Sequence, residues 1–146
     1  MRLQGAVFDG TEALLDAAGA PLPGVKEFLS LMKMEDVWMY LVCDGAAAPV
    51  RAALEEFGLW SYFRGLLSAE EQERAPLDPE LYEKAVRRLR TARRATVIFT
   101  AREEALRAAK RAGFQVVLVG SGHPAEASAL ADVTVAGYRD MIHVEH

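Results

Sequence analysis

Three short stretches hold the side chains best suited to chemistry, and each follows an apolar run: Asp9-Gly10-Thr11, Cys43-Asp44-Gly45 and Thr100-Ala101-Arg102. A carboxylate such as Asp9 attacks an electrophile or carries a proton, but covalent catalysis needs a nucleophile and a proton donor in separate, defined positions. The first stretch offers one acid for both. Cys43 is the sole cysteine, a weak hydrogen-bond donor with no neighbouring sequence feature to activate it. Thr100 brings a hydroxyl, and Arg102, with Arg74 in a polar loop upstream, brings cations suited to a phosphate-type anion. Arg102 also stands where a helix should begin, an end whose dipole disfavours positive charge, with Glu103 and Glu104 beside it to compensate. A purely structural account also exists: Asp9 caps a following helix, Cys43 is a small buried hydrophobe, and Asp44-Gly45 makes a turn.

These stretches converge only if the runs before them lie side by side. Gly5–Phe8, Val37–Cys43, Gly65–Ser68, Ala95–Phe99, Gln115–Val119 and Asp132–Val135 are short, apolar and without polar alternation, as strands buried on both faces should be. Helical spacing falls between them, over Val25–Met34, Pro49–Phe57, Pro79–Leu89 and Arg102–Ala112. Proline marks several helix starts, and Gly58 and Gly113 sit where helices should stop. The alternation predicts an α/β fold: a Rossmann-like, three-layer domain over residues 1–146, its mainly parallel sheet of five to six strands covered by helices on both faces. In such a fold ligands bind beyond the carboxyl ends of the strands, where all three stretches fall.

Composition narrows the function. At 146 residues the chain suits one domain, its hydrophobic share of 51% allows a full core, and no apolar run approaches the roughly 18 residues of a membrane span. The amino-terminal residues carry no signal-peptide pattern, and one cysteine excludes an internal disulfide, so a reducing cytoplasm is expected. A net charge of −4 argues against general nucleic-acid binding. The run "RRLRTARR" at 87–94 is read as a solvated helix end rather than a nucleic-acid patch. His123, His143 and His146 lack ligand spacing, and Trp38 and Trp60 read as core or edge aromatics. Absence of asparagine fits a heat-adapted source.

Five segments in order, covering nearly the whole chain, resemble the haloacid dehalogenase-like superfamily of phosphohydrolases. "AVFDGT" resembles its first motif and "LPGVKEFLSLMK" the helix before the second strand, while "YLVCDGAAAPVRAALEEFGLWSYFRGLLSAEE" resembles the second motif together with the next helix and strand. "RAPLDPELYEKAVRRL" is similar to the lysine-proline segment, and "VIFTAREEALRAAKRAGFQVVLVG" to the fourth motif. The resemblance implies a nucleophilic aspartate, an acid/base aspartate two residues later, a hydroxyl and a lysine for phosphate, and acids that hold magnesium. Asp9 stands for one aspartate but not both. Cys43 replaces the hydroxyl, Arg74 the lysine, and Thr100-Ala101 the metal-binding acids, with Arg102 next. Alanine ligates no metal, and an arginine differs from a lysine in shape and reach. Only Glu12–Leu22 fills the interval where many relatives insert a substrate-selecting cap, room for a turn or two of helix, so no cap is expected and the open site would admit a large partner.

Three functions are consistent with this pattern. The first is a binding or regulatory protein that has lost phosphohydrolase activity, needs no cofactor, and pairs with another protein or itself. The second is an altered phosphatase that uses Asp9 with Asp44 or Glu103 and, in that case, magnesium. The third is a metal-free anion binder built on Arg74, Arg102 and helix-end amides.

Overall fold

The computed structural model describes residues 2–142. Its strands are Gly5–Asp9 (β1), Trp38–Cys43 (β2), Leu66–Ser68 (β3), Thr96–Thr100 (β4), Gln115–Val119 (β5) and Val133–Val135 (β6). They form one six-stranded sheet in the order β3-β2-β1-β4-β5-β6, and every pairing is parallel. The chain starts in the middle, winds to one edge, then returns to lay β4 against the other side of β1. That reversal opens a crevice at the carboxyl ends of β1 and β4, the place where open α/β sheets bind ligands. Asp9 is the last residue of β1 and Thr100 the last of β4.

The helices are Val25–Met34 (α1), Ala47–Glu56 (α2), Glu80–Leu89 (α3), Glu103–Arg111 (α4), Ala125–Leu130 (α5) and Arg139–Ile142 (α6). Strand period two explains the layers. Ala6 and Phe8 pack on one face with Val25, Phe28 and Leu29 of α1 and Leu54 of α2, whereas Val7 packs on the other with Tyr82, Ala85 and Val86 of α3 and Leu106 and Ala109 of α4. Each large apolar side chain among them, fully buried, contributes about 1.5–3 kcal/mol. Two residues beyond Val7, Asp9 shares its face and meets Leu81 and Tyr82 of α3. The sequence thus sends a carboxylate into a wall made for apolar side chains, which demands a partner.

Two expectations change. No helix follows Asp9: residues 10–14 form turns, closed by a bridge between Leu15 and Pro21, and no cap domain is inserted before α1. The second predicted helix begins at Ala47, ahead of Pro49, and α5 and α6 are additional. Trp38, read as a core or edge aromatic, is 46% exposed at the start of β2. In the arginine run, Arg87 pairs with Glu80, Arg93 with Glu83, and Arg88 donates to the Tyr40 hydroxyl at 3.1 Å, so much of its charge is engaged. Among the described residues no helix is long and apolar enough to cross a membrane.

Candidate functional site

Asp9 is 1% exposed, and its carboxylate is fully partnered. Arg102 reaches it with a two-pronged fork: Nε donates to Oδ2 and Nη2 to Oδ1, each at 3.0 Å. The Thr100 hydroxyl donates to Oδ2 at 2.7 Å and accepts the Arg102 backbone N–H at 3.1 Å. The third guanidinium nitrogen, Nη1, donates to Asp44 Oδ2 at 2.6 Å, and the Leu77 backbone N–H donates to Asp44 Oδ1 at 3.4 Å. One guanidinium therefore bridges the tips of β1 and β2, anchored from the tip of β4. Planar, bidentate pairing of this kind is the strong form of the arginine–carboxylate contact.

The position of Arg102 explains its oddity in sequence. It is the N-cap residue of α4 with extended backbone, and its side chain leaves the helix end for the two carboxylates, while Glu103 and Glu104 fill the first turn. Burial works against the guanidinium charge, but the hydrogen bonds and charges of Asp9 and Asp44 outweigh it and hold Arg102 protonated well above its ordinary range. Burial pushes the Asp9 carboxyl up, opposed by the hydrogen bond and charge of Arg102 and by Thr100. The fork uses both oxygens as acceptors, so the pair is carboxylate and guanidinium.

Asp9, Cys43, Asp44, Leu77 and Tyr82 line a cavity of about 10 Å³. That is room for no more than one water, and far too little for a phosphoryl group. Cys43 is buried, donates to the Gly45 carbonyl at 3.3 Å, and burial together with the charges of Glu71 and Asp44 pushes its thiol up to about 11. A thiol so held is no nucleophile at neutral pH.

Of the residues read from the sequence, the fold brings together Asp9, Cys43, Asp44, Thr100 and Arg102. Arg74, its guanidinium half-exposed, pairs at 3.3 Å with Asp78 in its own loop, and Asp78 lines the same cavity as Asp9. Glu103 turns from Asp9 to the His123 ring at 3.1 Å. Asp9 caps no helix; its acceptors serve Arg102 and Thr100 instead. His143 and His146 lie outside the described residues. Sequence reasoning missed Tyr82, whose buried phenol is pushed up by burial and then by the Asp9 charge, and Ser68 and Glu71. Ser68 Oγ donates to the Gly45 carbonyl at 2.6 Å, and Glu71 accepts the Ala47 N–H at 2.9 Å at the start of α2. Tyr82 lies within the helical spacing of Pro79–Leu89, but nothing local marked it or the other two.

Magnesium, the ion the resemblance implies, wants an octahedron of oxygens including at least one free carboxylate. Here both Asp9 oxygens and Asp44 Oδ2 accept from Arg102, and a dication beside them would meet a guanidinium. Among the described residues no group of three or more His, Cys, Asp or Glu is placed to hold a metal ion. The residues in this arrangement do not fit the ion.

Comparison with known proteins defines the class. The family profile described as haloacid dehalogenase-like hydrolase matches residues 9–119. The chain belongs to the haloacid dehalogenase-like hydrolase family. It is 32% identical over 111 residues to a Dickeya dadantii (strain 3937) protein named "Probable phosphatase IndB", across 76% of this chain and 48% of that one. It thus spans about half the length of that curated relative. Among solved structures it is similar to YfnB from Bacillus subtilis bound to magnesium, with a TM-score of 0.84 at 11% identity over 98% of each chain. It is also similar to a HAD phosphatase from Thermococcus onnurineus, with a TM-score of 0.74 at 16% identity over 84% of this chain and 56% of that one. At these identities the structural likeness carries the fold.

Proposed function

We propose that this chain has set aside the acid-and-metal phosphoryl transfer associated with its family and works as a non-catalytic binding or regulatory protein. One observation carries the reading: the only aspartate at the tip of β1 is buried with both oxygens engaged by Arg102. A carboxylate in that state attacks nothing, and the second acid beside it, Asp44, is held on the same guanidinium rather than free to protonate a leaving group. Losing several members of one acting unit is not repaired by the rest. Without a cap, the rim around β1 and β4 is left for a protein partner or a second copy. The test is turnover of p-nitrophenyl phosphate with millimolar magnesium by wild type and by Asp9→Asn. The expected rate is that of buffer for both; a magnesium-dependent rate that disappears in Asp9→Asn would sink the reading.

The comparisons support a second reading at least as well: an altered phosphatase of the family. Its basis is the family match and the 32% identity to a protein named as a phosphatase. Guanidinium pairs with phosphate as it does with carboxylate, so in this reading a phosphate ester draws Arg102 away and frees Asp9. Turnover would then require both residues and vanish in Asp9→Asn and in Arg102→Ala alike. Metal-free anion binding is the weaker third reading, because Arg74 and Arg102 both already hold carboxylates. It expects phosphate to raise the melting temperature where magnesium does not.

A further inference from the structure

We infer that Arg102 is a built-in counter-cation, gripping Asp9 and Asp44 where a dication would otherwise be needed, and that removing its guanidinium converts the two carboxylates into a divalent-cation site. The inference rests on the reading that the Asp9 centre is neutralised from within. Three guanidinium nitrogens serve two carboxylates, Nε and Nη2 on Asp9 and Nη1 on Asp44, so the acids converge on one small volume from the tips of β1 and β2. The cluster holds one positive charge against two negative. Its other donors, the Thr100 hydroxyl and the Leu77 N–H, bring no net charge.

Deleting the guanidinium leaves two carboxylates facing each other, one of them 1% exposed, in a site where water solvates them poorly. Charge balance then calls for a replacement cation, and a divalent one neutralises both acids at once. Two carboxylates with water completing the shell is an ordinary magnesium or manganese arrangement. The position is set by the residues themselves: Arg102 comes off the N-cap of α4, so its removal alters no strand and opens space between the two acids.

The experiment compares thermal unfolding of wild type, Arg102→Ala and the double variant Asp9→Asn/Arg102→Met at neutral pH. Each is measured in millimolar magnesium or manganese chloride and in potassium chloride of matched ionic strength. Arg102→Ala is expected to melt on the order of 10 °C lower in potassium chloride and to regain at least half of that with the divalent ion. Wild type is expected to ignore the divalent ion. The double variant, which removes the fork from both sides, should recover most of the loss and show no divalent response. Should Arg102→Ala fail to fold, Arg102→Gln keeps the stem and serves in its place, with calorimetric titration of manganese as readout. Absence of a divalent response in Arg102→Ala or its substitute Arg102→Gln overturns the inference, as does equal manganese affinity in wild type. Buffer-level turnover by wild type together with no divalent response in Arg102→Ala or Arg102→Gln overturns this inference and leaves the proposed function standing, so the two failures are distinguishable.

Discussion

At the scale of single residues, the centre is governed by the cost of burying a charge. Asp9 could be kept in an apolar wall only by giving each oxygen a donor, and Thr100 is the donor whose contribution can be isolated. It is fully buried, gives its proton to Asp9 at 2.7 Å and accepts the Arg102 N–H at 3.1 Å. Thr100→Val keeps the volume and removes both hydrogen bonds, one of them to a charged acceptor. Losses of that kind cost about 1–3 kcal/mol, so urea unfolding should show the midpoint reduced with an unchanged slope. A drop below a few tenths of a kcal/mol would mean that Arg102 alone satisfies the carboxylate.

At the scale of elements, the approach to α1 depends on one glycine. Gly24 has φ +79, and a Cβ there would lie 2.8 Å from the Arg139 backbone nitrogen at the start of α6. Any side chain meets both a left-handed backbone and a wall of main chain. Gly24→Ala should therefore lower stability by at least about 1 kcal/mol from the backbone conformation alone, and more from the clash, read as a lower melting temperature. The element pattern was largely legible in the sequence, with strands displaced by about one residue and α1 found at its observed bounds. Strands buried on both faces announce themselves by unbroken apolar runs, and α1 by its Val25-Phe28-Leu29-Met32 stripe. Short α5 and α6 carry too few turns for a period to register. The site was legible only as a set of tips. That Arg102 would fold back onto Asp9, 93 positions away, is fixed by the β1–β4 pairing, and no local spacing encodes it. The same limit applies to Arg74, whose pairing with Asp78 depends on the path of an irregular loop.

At the scale of the whole molecule, two ion pairs tie the outer strands to α4, and they respond to pH in opposite directions. The His123 ring faces two acceptors, Glu103 Oε2 at 3.1 Å and the Val119 carbonyl at 3.0 Å, so only the imidazolium, with two N–H donors, satisfies both. Burial lowers its affinity for a proton, but the Val119 carbonyl and Glu103 outweigh this and raise the pKa from 6.5. A raised folded pKa means stability present in full below the unfolded value near 6.5 and lost as pH climbs through the folded one. Asp132 behaves conversely. Burial pushes its carboxyl up, yet the hydrogen bonds from Lys110 at 2.9 Å and the Val116 N–H at 2.7 Å prevail and lower it from 3.8. Its contribution is present above that value and disappears as pH falls through the depressed one. Melting temperatures of wild type, His123→Gln and Asp132→Asn from about pH 3 to pH 9 should then diverge in pattern. The His123→Gln deficit should be greatest near pH 5.5 and shrink toward pH 9, while the Asp132→Asn deficit should persist at pH 9 and close toward pH 3. A His123→Gln deficit independent of pH would assign that ring a packing role, with the carboxyl end of β5 held to α4 by shape and not by charge.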